Sequence, residues 1–142
     1  MEPGGRLTLV ATYVVLVVLG AAIGVWGAFL VPLRLFGHIE GLADVIGLVG
    51  TVAAGCLGGL GLRSAPAAVL PGIGWILAFL ALGYGPGGDV VIPGSLGNDH
   101  GVAVVGTLYM LSGFLGTLLS AVLVARRLRG FTSDPNGPRP QP

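Results

Sequence analysis

Residues 7–31 read LTLVATYVVLVVLGAAIGVWGAFLV, 25 residues without a charged side chain. As an α-helix this stretch extends about 37 Å, enough to cross a hydrocarbon layer of ~30 Å with some tilt. A cleaved signal peptide is the weaker reading, because its apolar region is only about 7–15 residues long and its leading segment more basic than the lone Arg6. The rest of the chain agrees with a membrane span. Its 142 residues are 54% hydrophobic and 9% charged, where a soluble domain carries about a quarter charged residues. Mean hydropathy is +0.92.

Working outward, Pro32 ends the first run, and Leu33 to Asp44 carries Arg34, His38, Glu40 and Asp44, a connection too polar for lipid. A glycine-rich run, Val45 to Leu62, gives a second span. Arg63 and Ser64 form a short turn before Ala65 to Tyr84, the third span, in which Pro66 is harmless in a first turn but Pro71 predicts a kink, a delayed start or a partly re-entrant segment. Gly85 to Gly101 is rich in Gly, Pro, Asn and Asp and reads as a structured loop with a short apolar patch, Val90 to Ile92. Val102 to Ala125 gives a fourth uncharged span, stopped by Arg126, Arg127 and Arg129. The tail, residues 132–142, is too polar and proline-rich to fold. The expected architecture is an all-α integral membrane protein: one domain over residues 1–131, a four-helix transmembrane bundle with spans at 7–31, 45–62, 65–84 and 102–125, and a disordered tail.

All seven basic residues are arginine, which together with abundant Gly, Ala, Val and Leu points to a high-GC bacterial genome. With four spans, Arg6, Arg63, Arg126, Arg127, Arg129 and Arg139 fall on one side and only Arg34 on the other. Arginines accumulate in short cytoplasmic segments, so both termini are expected in the cytoplasm of a bacterial inner (plasma) membrane. A third span that failed to cross would put the C-terminal arginine cluster outside. Net charge is +1, which gives no basic face for nucleic acid.

The external side then collects His38, Glu40, Asp44, Asp89, Asp99 and His100. Of these, His38, Glu40, Asp89, Asp99 and His100 are weak candidates for holding a divalent cation or relaying protons, since imidazole and carboxylate are suitable ligands. None has a recognised ligand spacing, and the plainer reading is that acids avoid the arginine-rich side. Asp44 leads directly into the second span and reads as the cap at that helix's N-terminus, favoured by the dipole. The spans themselves contain no charged residue, in contrast to proton-coupled transporters, which place an ionisable group in the membrane. The small multidrug exporters carry such a glutamate in their first span, and this chain has none. In spans two to four the only Ser and Thr side chains are Thr51, Thr107, Ser112, Thr117 and Ser120, which make no evident polar pore set. The single Cys56 excludes a dithiol site. His38 and His100 both fall in connections, a poor arrangement for a bis-histidine haem, and Ser, His and Asp never form an activated-nucleophile pattern. No cofactor and no catalytic residue is expected.

The strongest positive pattern is mechanical. Gly47, Thr51, Gly55 and Gly59 recur every four residues along the second span, with Gly50, Ala54 and Gly58 beside them. Gly20, Gly24 and Ala28 repeat the spacing in the first span, and Ser112, Gly116 and Ser120 in the fourth. Such ridges let helices approach closely. The second span is the expected packing centre, and spacing alone leaves its partner open between span one, span four and another subunit. Of the aromatics, Tyr84 lies at a span boundary, while Trp26, Trp75, Tyr13 and Tyr109 read as packing residues.

The four-span layout, the glycine-rich second span and the segment Gly88-Asp89-Val90-Val91-Ile92-Pro93-Gly94 together resemble a family of small uncharacterised actinobacterial four-span membrane proteins with a domain of unknown function. The resemblance covers Leu7 to Arg129, with that segment its distinctive part. It implies a neighbourhood of mycothiol-biosynthesis genes and defines no functional residues to carry over. From the residues themselves, the expected function is that of a non-enzymatic accessory or scaffold subunit, embedded in the lipid bilayer, whose small-residue ridges pack against another membrane protein or a second copy. The alternative is a small homo-oligomeric transporter or channel.

Overall fold

The computed structural model describes residues 3–31, 34, 35, 38, 39, 41–83 and 100–132. Four α-helices make up nearly all of it: α1 (Pro3–Leu30), α2 (Leu42–Gly61), α3 (Leu70–Gly83) and α4 (His100–Thr132). A 3-10 turn, Pro66–Val69, leads into α3. Between α1 and α2, β1 (Arg34–Leu35) and β2 (His38–Ile39) form a two-rung antiparallel ladder that pairs Arg34 with Ile39 and Leu35 with His38. The expected loop over 85–101 and the tail beyond Thr132 lie outside the described residues, apart from His100 and Gly101, which open α4.

Three helices, Gly5–Leu30, Leu42–Gly61 and Val104–Gly130, are long and apolar enough to cross a membrane, and Pro66–Leu82 is a shorter apolar helix. Side-chain size sorts with burial in the sense opposite to a soluble core. The buried positions of α2 are Ala43, Gly47, Thr51, Ala54, Gly55, Gly58 and Gly59. Those of α4 include Ser112, Gly113, Gly116 and Ser120 beside Tyr109 and Val124. Outward faces carry Val14, Val18, Leu57, Leu77, Phe114 and Leu118. Lipid tails are as apolar as leucine, so large side chains gain nothing by turning inward, and close backbone approach through small residues becomes the source of cohesion. Trp26 belongs to the outward set, 73% exposed, which corrects its expected role as a packing residue. Tyr13 is half-buried.

Neighbouring residues give the helix directions. Gly20 lies against Pro71, and Gly24 against Trp75 and Ala78, so α1 and α3 run parallel. Gly47 lies against Ser112, Gly116 against Thr51, Gly55 against Ser120 and Gly59 against Val124, so α2 and α4 also run parallel. Gly50 meets Ile23 and Gly58 meets Leu16, so α1 and α2 are antiparallel.

The proline pair of the third apolar run shapes its start. Pro66 begins the 3-10 turn, and Pro71 is the second residue of α3, where a missing N–H leaves no intrahelical carbonyl unsatisfied. The turn's own amides remain bonded, Ala67 N–H to the Ser64 carbonyl and Ala68 N–H to the Ala65 carbonyl, both at 3.1 Å. Pro71 therefore tightens the approach to the helix without breaking it.

Helix α2 ends in a six-residue C-terminal motif. Ser64 N–H donates to the Gly59 carbonyl at 2.9 Å and Arg63 N–H to the Leu60 carbonyl at 3.2 Å. The residue that must turn left-handed is Arg63, with φ 48°, where glycine would be free of the Cβ penalty of about 1 kcal/mol. Arg63→Gly is accordingly expected to raise stability by about 1 kcal/mol, read as a higher unfolding midpoint in detergent. An unchanged or lower midpoint would mean that the guanidinium contributes contacts outweighing the backbone strain.

The start of α2 revises one expectation. The helix begins at Leu42 with Gly41 as its cap residue, so Asp44 sits inside the first turn and is not the cap. The helix long and apolar enough to span a membrane, Leu42–Gly61, therefore contains one acid, immediately ahead of the uncharged run that begins at Val45.

Candidate functional site

The histidine and acid cluster expected from the sequence falls only in part among the described residues. His38 lies in β2 beside α4 and His100 is the first residue of α4, and only their backbone is described. Glu40, Asp89 and Asp99 lie outside the described residues, as does the 88–94 segment that carries the family resemblance. Among the described residues no group of three or more His, Cys, Asp or Glu could hold a metal ion. Cys56 is half-buried and free.

The small-residue positions do come together. Gly47, Thr51, Gly55 and Gly59 line the α2 face that meets Ser112, Gly116, Ser120 and Val124 of α4. Gly55 and Gly59 also abut Ala68 in the 3-10 turn, and Gly20 and Gly24 seat α1 on α3. The partner that spacing left open is thus the fourth helix of the same chain.

Each buried hydroxyl in this interface is engaged with a carbonyl. Thr51 Oγ1 donates to the Gly47 carbonyl at 2.6 Å, Ser112 Oγ to the Tyr109 carbonyl at 2.8 Å and Ser120 Oγ to the Thr117 carbonyl at 2.8 Å. Ser120 Oγ also lies 3.3 Å from the Ala68 carbonyl across the interface. Thr117 Oγ1 donates to the Gly113 carbonyl at 2.8 Å. Bonds of this kind fold a polar side chain back onto its own helix.

At one end of the bundle sits a node that spacing does not reveal. Trp75 Nε1–H donates to Tyr109 Oη at 3.1 Å, and Tyr109 O–H donates to the Gly24 carbonyl at 2.7 Å, linking α3, α4 and α1. Phe79 stacks on Trp75 with ring centroids 5.5 Å apart, and Tyr109 tilts against Trp75 at 5.3 Å. Ala28, Val31, Ala43 and Val105 complete the cluster. Glycines make room for both rings: a Cβ on Gly27 would crowd the Tyr109 hydroxyl, one on Gly47 the Tyr109 ring edge, and one on Gly113 would overlap the Trp75 indole. The available signal was an indole N–H and a phenol, each needing a partner deep in apolar sequence.

Among the described residues, two grooves on the outer surface stand out. One, of about 290 Å³, lies between α3 and α4 and is lined by Trp75, Ile76, Phe79, Leu80, Met110, Leu111 and Phe114, all apolar. The other, of about 320 Å³, lies between α2 and α4 and is lined by Asp44, Val45, Leu48, Leu108, Leu111, Ser112 and Leu115. Asp44 is half-exposed, yet its Oδ1 is shielded from solvent and meets no hydrogen-bond donor. Its Oδ2 lies over Gly41, where a Cβ would stand 3.2 Å away.

Comparison with family models, with curated proteins and with solved structures found no match.

Proposed function

We propose that this chain is a multi-pass protein of a bacterial inner membrane, crossing the bilayer four times with both termini in the cytoplasm, and that it serves as a non-enzymatic accessory or scaffold subunit. Support for four crossings comes from the helix directions. Parallel α1/α3 and α2/α4 pairs, with α1 antiparallel to α2, are what four alternating passes produce. The third pass is long enough in this reading, because the four 3-10 residues rise about 2 Å each and bring Pro66–Gly83 to about 29 Å, close to the hydrocarbon thickness. In this topology the arginines at Arg63 and Arg126–Arg129 share a side, as cytoplasmic placement asks.

The observation that carries the scaffold reading is the state of the buried hydroxyls. Those of Thr51, Ser112 and Ser120 are bonded to carbonyls of the same bundle, so they serve helix packing instead of lining a water path. Because the small-residue faces are occupied within the chain, a protein partner would meet the outward Leu- and Val-rich faces.

Two measurements test this. In a Cys56→Ala background, Ser64→Cys should react with a membrane-impermeant thiol reagent from the same side as a cysteine at Thr132. Labelling of the two from opposite sides would mean that the third segment does not cross. Native mass spectrometry of protein extracted from its own host should find a stoichiometric foreign subunit. A discrete homo-oligomer in its place would replace the scaffold reading with that of an oligomeric transporter or channel.

A further inference from the structure

Asp44 is the one acid among the described residues, and it heads the groove between α2 and α4. The parallel pairing of these helices sets it near the level of Tyr109, since Gly47 lies against Tyr109 and Ser112. The carboxylate thus stands at one end of the groove. From there Leu108, Leu111 and Leu115 run along α4 for about 10 Å at 1.5 Å per residue, away from the helix start and toward the middle of the apolar layer. An ionised carboxylate with one shielded, donor-free oxygen beside such walls is costly unless a positive group meets it. The N-terminal dipole of α2 supplies part of that compensation, equivalent to roughly half a charge, and among the described residues no donor reaches the shielded oxygen.

We propose that this groove binds a membrane phospholipid whose head group carries a primary ammonium, phosphatidylethanolamine in chemical class. The ammonium pairs with Asp44 and one acyl chain lies along Val45, Leu48, Leu111 and Leu115. The fit is one of polarity and of charge: an apolar trough opens laterally to lipid, and an anion sits at its head-group end. The volume, about 320 Å³, holds roughly ten methylene-sized groups if each takes about the 30 Å³ of a water. That is a substantial part of one chain.

The test is lipid retention by the intact protein in detergent, followed by native mass spectrometry with phosphatidylethanolamine, phosphatidylcholine and phosphatidylglycerol supplied at equal concentration. Wild type should retain the ethanolamine lipid about tenfold more than either of the others, and Asp44→Asn should lose that preference. A second variant, Leu48→Trp, fills the trough and should lower retention of the ethanolamine lipid while Asp44 stays in place. This variant and the wild-type comparison keep the test decisive should Asp44→Asn fold poorly. Equal retention of the three lipids by wild type, or an unchanged preference in Asp44→Asn, would overturn the assignment. So would a dimer cross-linked efficiently through Leu115→Cys in a Cys56→Ala background, which would show a second copy seated in the groove. None of these outcomes depends on whether the chain is an accessory subunit.

Discussion

Replacing Gly20 or Gly74 with alanine is expected to destabilise the protein by about 3 kcal/mol or more, at or above the upper end of ordinary overpacking. The reason is the kind of atom that stands in the way. A Cβ on Gly20 would overlap the carbonyl of Pro71, and one on Gly74 the carbonyl of Val17. Where a side chain obstructs, a new rotamer relieves the clash; where backbone obstructs, the helices themselves must separate. Separation of α1 from α3 would also pull Gly24 away from Tyr109 and Trp75 from its place beside Gly24. Unfolding of each variant in mild detergent, followed by circular dichroism, reads the effect. Gly61→Ala is the matched control, because nothing lies within 4 Å of its Cβ position, and its midpoint should be unchanged or slightly raised by the better helix propensity. Equal midpoints for Gly20→Ala and Gly61→Ala would sink the claim that backbone contact holds α1 to α3.

The second large effect concerns Tyr109→Phe. The ring stays and its hydroxyl goes, so packing against Trp75 and Phe79 is retained while the Trp75 Nε1–H and the Gly24 carbonyl lose their shared partner. A buried donor left unsatisfied costs about 1–3 kcal/mol. Interhelical hydrogen bonds in membranes average nearer 0.6 kcal/mol, so a loss of about 1–2 kcal/mol is expected here, where two groups are orphaned together. With Trp26→Phe as background, Trp75 becomes the sole indole, and its fluorescence should change in Tyr109→Phe. A stability within error of the parent and an unchanged Trp75 spectrum would show that the hydroxyl link contributes nothing.

Much of this arrangement can be read in the chain before any coordinates, for a physical reason. A helix has one periodicity, so Gly47, Thr51, Gly55 and Gly59 fall on one face whatever lies opposite. What lies opposite depends on another helix, and nothing local to α2 selects Ser112, Gly116 and Ser120 of α4 over the ridge in α1. The aromatic node was hidden for the same reason: Gly27, Gly47 and Gly113 make space for rings belonging to other helices, and a glycine's role as a recess is invisible from its own neighbours. Helix α3 is shorter than its apolar run, whose start is taken by the 3-10 turn at Pro66–Val69. Helices α1 and α2 instead start before their apolar runs and α4 extends past its run at both ends, because hydropathy marks only the apolar stretch, whereas the backbone continues its hydrogen-bonded path beyond it. That difference moved Asp44 from the connection into α2 and made the groove at its side a site worth testing. The expected histidine and acid cluster depends mostly on the connections, and its side chains lie beyond the described residues.

The parallel match of α2 with α4 also sets a schedule for biosynthesis. During synthesis each residue of the ridge from Gly47 to Gly55 emerges 65 residues ahead of the Ser112, Gly116 or Ser120 position that covers it. Chains lengthen at about 5–20 residues per second, so several seconds pass in which the nascent α1–α2 hairpin presents an open seam of small residues. The newborn protein is therefore at its most adhesive before its last helix exists, and the final helix acts as the closure that ends this interval.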